Sequence, residues 1–273
     1  MDTAIPCVSV ASLRSALGSP DAPLIIDVRR AQAYEADAFT IAGALRRSPE
    51  TSQEWSGAIA QSKQIVVACV HGHEVSQGVV QVLLEAGFEA AYLEGGMQAW
   101  VTACAPMIRK QPELNIPGQA NSRWITRERP KIDRIACPWL IRSFIDPLAE
   151  FLYVPADDVK DMAVRCNAIP YDVPEVRFSH RGKQCSFDAL IEDFGLRDAV
   201  LDELAVIVRG ADTGRPELSP QSPGLLAISL GISVNYKDDH AMLEQGMVIY
   251  HSLYAWLSQA RGEIHNAKLF EKL

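Results

Sequence analysis

The 273-residue chain is 48% hydrophobic and 22% charged, with a formal net charge of −8 and a pI near 5.3. This is the composition of a globular protein long enough for two ordinary domains. The acidity argues against broad association with nucleic acid, and no apolar run, Gly224 to Val234 included, is long and unbroken enough to span a bilayer, so neither nucleic acid nor a membrane is expected as a partner. The opening residues lack the basic stretch and apolar core of a signal peptide, and six scattered cysteines without a CxxC pair read as reduced thiols. Together these features predict a cytoplasmic protein.

In chain order, Val8 to Val10 reads as a short strand, and Ser12 as the cap of a helix that ends before Gly18-Ser19-Pro20. Leu24-Ile25-Ile26-Asp27-Val28 is a buried strand, Ala31 to Phe39 a helix, and Gly43-Ala44-Leu45-Arg46 a turn into a further extended piece. Ile65-Val66-Val67-Ala68 is a second buried strand. It gives way at Cys69-Val70-His71-Gly72-His73-Glu74-Val75-Ser76 to the helical spacing of Val75, Val79, Val82, Leu83 and Ala86. Ala90 to Leu93 is a third strand, Gly95-Gly96 a turn, and Met97 to Thr102 a short helix. Alternating strands and helices predict a parallel sheet covered on both faces.

Cys69 thus sits at the carboxyl end of a strand, before a loop that feeds a helix N-terminus. Open α/β sheets place ligands there, and free N–H groups stabilise anions such as a thiolate. Cys69 is the candidate nucleophile, and Val70, His71, Gly72, His73, Glu74 and Val75 form the candidate substrate-binding loop.

Leu24-Ile25-Ile26-Asp27-Val28-Arg29, the Cys69 loop and Tyr92-Leu93-Glu94-Gly95-Gly96-Met97-Gln98-Ala99-Trp100 together resemble the rhodanese (sulfurtransferase) family. The resemblance implies an α/β rhodanese-like domain over residues 1–108, with sulfane sulfur carried as a persulfide on Cys69 and no cofactor needed for the transfer. It implies a small-molecule sulfur donor and a thiol acceptor as partners, and Asp27 and Arg29 as structural supports rather than reactants. Basic residues often stand directly after the cysteine and five places beyond it in that pattern, where this chain has Val70 and Glu74. The pocket is therefore expected to attract a dianion such as thiosulfate less strongly. His71 and His73 supply charge there only when protonated.

Residues 109–122, rich in Pro, Gly and polar side chains, read as a linker. The region 123–273 reads as a mostly helical α+β domain. Trp124 to Arg127 and Phe151 to Val154 are extended, and Val176, Phe178 and His180 alternate like a strand. Ser186 caps a helix through Phe194, and Leu201 to Val208, Leu225 to Ile232 and Met247 to Leu257 form apolar helices, with a short one opened by Asp238-Asp239-His240. Pro138 fits best at a first helical position, making Cys137 an N-cap and a candidate reactive thiol. Arg134, Arg181 and Arg209 are candidates for an oxyanion site, and His180, Asp212, Asp239 and His240 have the ligand types of a metal ion.

Asp133 to Ile141, His180-Arg181-Gly182 with Cys185 to Asp188, Arg209 to Thr213 and Asp238 to Met242 look like the ChrB C-terminal domain family. That resemblance implies a link to chromate resistance or sensing, with chromate or another oxyanion as a partner. The leading expectation is a sulfurtransferase coupled to a chromate-handling domain. A non-catalytic oxyanion sensor and a metalloenzyme centred on the second domain are the alternatives.

Overall fold

The computed structural model describes residues 4–59, 64–118 and 120–263. Residues 1–3 and 264–273, assigned above to the two domains, lie outside them. The first half runs β1 (Cys7–Val8), α1 (Val10–Ala16), β2 (Leu24–Asp27), α2 (Ala31–Glu35), β3 (Phe39–Ile41), β4 (Leu45–Arg46), α3 (Ser52–Ser56), β5 (Ile65–Ala68), α4 (Glu74–Glu85), β6 (Ala90–Leu93) and α5 (Gly96–Thr102). The second half follows as β7 (Met107–Arg109), β8 (Arg123–Arg127), α6 (Asp133–Phe144), β9 (Glu150–Val154), α7 (Val159–Cys166), β10 (Ile169–Pro170), α8 (Ser186–Asp193), α9 (Ala199–Asp212), α10 (Ser222–Asn235) and α11 (Asp239–Ala255).

The first half is α/β, with a five-stranded sheet in the order β1-β6-β5-β2-β4 and every pairing parallel. β2 and β5 are buried on both faces, which explains their continuous apolar sequences. Leu24, Ile26, Ile65, Val67 and Cys69 pack with Val79, Val80 and Leu83 of α4 on one face. Ile25, Val66 and Ala68 point to the other, where they join a core that includes Trp139, Phe144 and Tyr254 of the second half. The second half is helix-rich, with a three-stranded parallel sheet in the order β10-β8-β9.

The two halves share one core. The Gly43 N–H donates to the Phe144 carbonyl at 2.7 Å, and a Cβ at Gly18 (φ +74°) would lie 2.6 Å from the Tyr254 ring. The described residues of the stretch read as a linker are packed: the Arg109 N–H, at the end of β7, donates to the Phe194 carbonyl, and Gln111 and Ile116 are buried. Its prolines signalled an open connection, but the buried Gln111 and Ile116 anchor it.

Local differences from the sequence reading have local causes. Ser9 rather than Ser12 caps α1, its hydroxyl accepting from the Ser12 N–H. The strand expected at Val176 to His180 is a bent segment with one bridge, Tyr171 to Phe178, because Asp172 and Glu175 hold positive φ around Pro174. Asp238 opens one continuous helix rather than a short separate one. Gly246 does not break α11, since it forms the notch where α11 crosses α6, and a Cβ there would meet Ile135 at 2.7 Å.

Candidate functional site

The Cys69 loop leaves β5 and enters α4 with His73 as N-cap and Glu74 as first helical residue. Cys69 is only 5% exposed, so its sulfur lies at the bottom of the loop rather than on its rim. Its Sγ is 3.2 Å from Ser76 Oγ, and the Ser76 hydroxyl donates to the His73 carbonyl at 3.1 Å. Burial pushes the thiol up. The Ser76 hydroxyl and the backbone of His71, Ser76 and His73 more than offset this, so the thiol titrates below its ordinary value.

The loop is held flush against the Gly95-Gly96 turn. The Met97 and Gln98 N–H groups donate to the Cys69 and Val70 carbonyls at 2.9 and 3.1 Å, which turns the first amides of α5 onto the loop. Gly96 has φ +57°, and a Cβ there would lie 2.5 Å from the Cys69 carbonyl and 2.6 Å from the Gly72 nitrogen. Gly72, at φ +72°, has no more room, since its Cβ would meet the Leu93 carbonyl at 2.5 Å. His71, His73 and Glu74 are exposed at the rim and Val70 and Val75 are half-buried.

Asp27 and Arg29 form a buried pair. Arg29 Nε and Nη2 donate to both Asp27 carboxylate oxygens at 2.7–3.1 Å, Nη1 donates to Asp37 and Nη2 to the Phe39 carbonyl. Thr40 Oγ1 adds a bond to Asp27 at 2.9 Å. The pair ties the end of β2 to β3, a bracing arrangement.

Cys137 is not a helix cap. It lies in the interior of α6, fully buried, with Ile132 as N-cap and Pro138 inside the helix. Pro138 lacks the N–H that would reach the Arg134 carbonyl, and the Tyr171 hydroxyl donates to that carbonyl instead at 3.3 Å. Burial, then Asp133 beside it, pushes the Cys137 thiol well above its ordinary value, which disfavours the thiolate form.

The three arginines do not converge on an oxyanion. Arg209 forks onto Asp188 at 2.6 and 2.9 Å, Arg181 pairs with Asp193 and Glu192, and Arg134 pairs with Asp172 at 3.3 Å and caps the Arg127 and Glu128 carbonyls. Each guanidinium is spent on its own carboxylate.

The proposed metal ligands divide. His180 and Asp212 meet, Nε2 to Oδ2 at 3.1 Å, but Asp239 and His240 lie elsewhere: Asp239 accepts from the Arg129 N–H, and His240 packs edge-on against Tyr153. In their place stand Asp133, fully buried, and Asp172, whose oxygens are 3.7 and 3.4 Å from His180 Nε2. Among the described residues, Asp133, His180 and Asp212 form a group of side chains able to hold a metal ion. Hydrogen bonding to Asp172 and Asp212 lifts His180 to about 10. Burial, then repulsion from Asp212 and Asp172, pushes Asp133 up to about 8.

Ser76, Asp172 and the pairing role of Asp188 escaped sequence reasoning. Ser76 could have been found, because the third residue of a helix that starts at the loop points back towards the loop. Asp172 carried no signal, lying in an irregular segment between Tyr171 and Val173.

Two family models match the chain: the rhodanese-like domain over residues 9–103 and the ChrB C-terminal domain over residues 124–257. Protein ChrB of Cupriavidus metallidurans is 35% identical over 147 residues, covering 53% of this chain and 44% of ChrB. The chain thus spans less than half the length of that relative. Thiosulfate sulfurtransferase GlpE of Coxiella burnetii is 41% identical over 78 residues, 28% of this chain and 70% of GlpE. Solved structures that resemble it include a full-length protein from Lactobacillus plantarum (25% identity, 38% of this chain, 87% of the other, TM-score 0.33) and a rhodanese-related protein from Thermoplasma volcanium (24% identity, 37% and 96%, TM-score 0.33). The chain belongs to the rhodanese-like family through residues 9–103 and joins to that domain a ChrB C-terminal domain over residues 124–257.

Proposed function

We propose that the chain is a sulfurtransferase that carries sulfane sulfur on Cys69, and that its C-terminal domain couples this chemistry to chromate resistance or sensing. The observation that carries the reading is the seat of Cys69 Sγ, 3.2 Å from Ser76 Oγ inside a loop whose backbone lowers the thiol pKa. Likeness to GlpE, a thiosulfate sulfurtransferase, supports the activity, and likeness to ChrB supports the coupling.

In the transfer, the Cys69 thiolate attacks the outer sulfur of the donor. The new S–S bond forms as the donor's own S–S bond breaks, and the leaving group, sulfite from thiosulfate or a thiolate from a persulfide, departs with the electron pair. The terminal sulfur of the Cys69 persulfide is then taken by cyanide or a thiol acceptor, and the Cys69 thiolate is restored. Donors on the loop stabilise the anion at each stage. With Val70 and Glu74 where fixed cations would draw in a dianion, a low-molecular-weight persulfide is the favoured donor. The test is sulfur transfer to cyanide from thiosulfate and from glutathione persulfide. Wild type should turn over both, with the persulfide preferred, and Cys69→Ser neither; equal rates for wild type and Cys69→Ser would end the reading.

A further inference from the structure

Three carboxylates and one imidazole meet where the N-termini of α6 and α8 approach the C-terminus of α9. His180 Nε2 lies 3.1 Å from Asp212 Oδ2, 3.4 Å from Asp172 Oδ1 and 3.7 Å from Asp133 Oδ2. The nitrogen carries at most one hydrogen, which the three oxygens would have to share. The ligand atoms of Asp133, His180 and Asp212 all lie within 4.8 Å of one another, close to the separations of ligands on one ion: with bonds of about 2.0–2.2 Å to a first-row divalent metal, ligand atoms stand roughly 3.0–4.4 Å apart.

The carboxylates are oriented in advance. Asp133 accepts from the Ser186 and Phe187 N–H groups at 2.6 and 3.0 Å, and Asp172 accepts from Ser186 Oγ at 3.0 Å while its other oxygen faces Arg134. Such outer hydrogen bonds fix ligand geometry before an ion arrives. The negative charge of the three carboxylates is met by one divalent cation together with the Arg134 and Arg127 guanidinium groups at Asp172. The imidazole is 41% exposed, which leaves a path from solvent, whereas Asp133 closes the inner end. Among the described residues no thiol belongs to this ligand group, and the Cys137 Sγ donates to Asp133 Oδ1 at 3.4 Å.

We propose that Asp133, His180 and Asp212 form a binding site for one divalent cation of the Mn2+ and Fe2+ class, with Asp172 beside them. A set of two carboxylates and one nitrogen is harder than a zinc thiolate site, yet the imidazole favours a transition metal over Mg2+ or Ca2+. Ion binding would lock α6, α8 and α9 together, independently of the chemistry at Cys69.

The test uses the full chain, treated with chelator and dialysed against Mn2+, with the bound metal counted by elemental analysis and the melting temperature recorded. One equivalent should be retained and the melting temperature should rise. His180→Gln and Asp212→Asn should each weaken binding at least tenfold, while His240→Gln leaves it unchanged. Pulsed electron paramagnetic resonance of the wild-type Mn2+ complex should show coupling to an imidazole nitrogen. This reading holds even should a substituted chain fail to fold, which circular dichroism would reveal. Failure to retain stoichiometric Mn2+, undiminished binding in folded His180→Gln and Asp212→Asn, or a bound ion with no nitrogen coupling would each overturn the proposal.

Discussion

Replacing Ser76 with alanine removes the side-chain hydroxyl that lies against Cys69, and its effect can be sized from the geometry. In the neutral thiol state the hydroxyl donates to the His73 carbonyl at 3.1 Å while lying 3.2 Å from Cys69 Sγ. On ionisation it turns to the sulfur, gaining a bond to a charged group of about 1.5–3 kcal/mol and giving up a neutral one of about 0.5–1.5 kcal/mol. The difference, roughly 1–1.5 kcal/mol, corresponds to about one pK unit. Ser76→Ala should therefore raise the Cys69 pKa by about one unit. The assay is the pH dependence of Cys69 alkylation by iodoacetamide, read by peptide mass spectrometry. Below both pKa values the rate should fall about tenfold, and at high pH it should match wild type, since the thiolate itself is unaltered. A pKa that stays put, or a uniform loss of rate at every pH, would refute the argument and point to access rather than ionisation.

Gly96→Ala should cost roughly 2–5 kcal/mol, the sum of a positive-φ penalty and overpacking against the Cys69 loop. Urea denaturation measures it, and Cys69 reactivity should fall with it. Asp27→Asn should destabilise by about 3 kcal/mol, because the buried Arg29 loses its carboxylate, while the pKa of Cys69 stays unchanged in the alkylation assay. Glu74→Arg, at the exposed start of α4, should raise kcat/KM for thiosulfate several-fold, with the gain shrinking as salt is added. Tyr171→Phe should cost about 1 kcal/mol by orphaning the Arg134 carbonyl. In a Pro138→Ala background, where a backbone N–H can take that carbonyl, the cost should shrink, and a double-mutant cycle of unfolding free energies reads the coupling.

What was legible in the sequence follows from which interactions are local. β2, β5 and β6 announced themselves as apolar runs, whereas β3 was hidden because its first residue, Phe39, reads as the end of a helix; the Cys69 loop was found because strand, glycine and helix follow one another directly. In the second half the helices were legible by spacing, but which polar ends meet was not. Arg134, Arg181 and Arg209 look alike as sequence, yet each has its own acidic partner, two of them at distant positions along the chain. Pro138 misled because a proline inside a helix is tolerated only when another donor, here Tyr171, serves the carbonyl it leaves open. His180 and Asp212 were named on residue type alone, whereas the partners that complete the cluster, Asp133 and Asp172, come from a helix start and an irregular loop brought together by the shared core.

The central claim is that Cys69 carries the sulfur. Intact-protein and peptide mass spectrometry after exposure to glutathione persulfide, with excess donor removed, tests it most directly. The account predicts the mass gain of one sulfur atom on the Cys69 peptide, its loss on addition of cyanide with an equal yield of thiocyanate, and no transferable sulfur in Cys69→Ser. Sulfur that settles instead on the exposed Cys7 or Cys104, or that stays on Cys69 when cyanide is added, would contradict it.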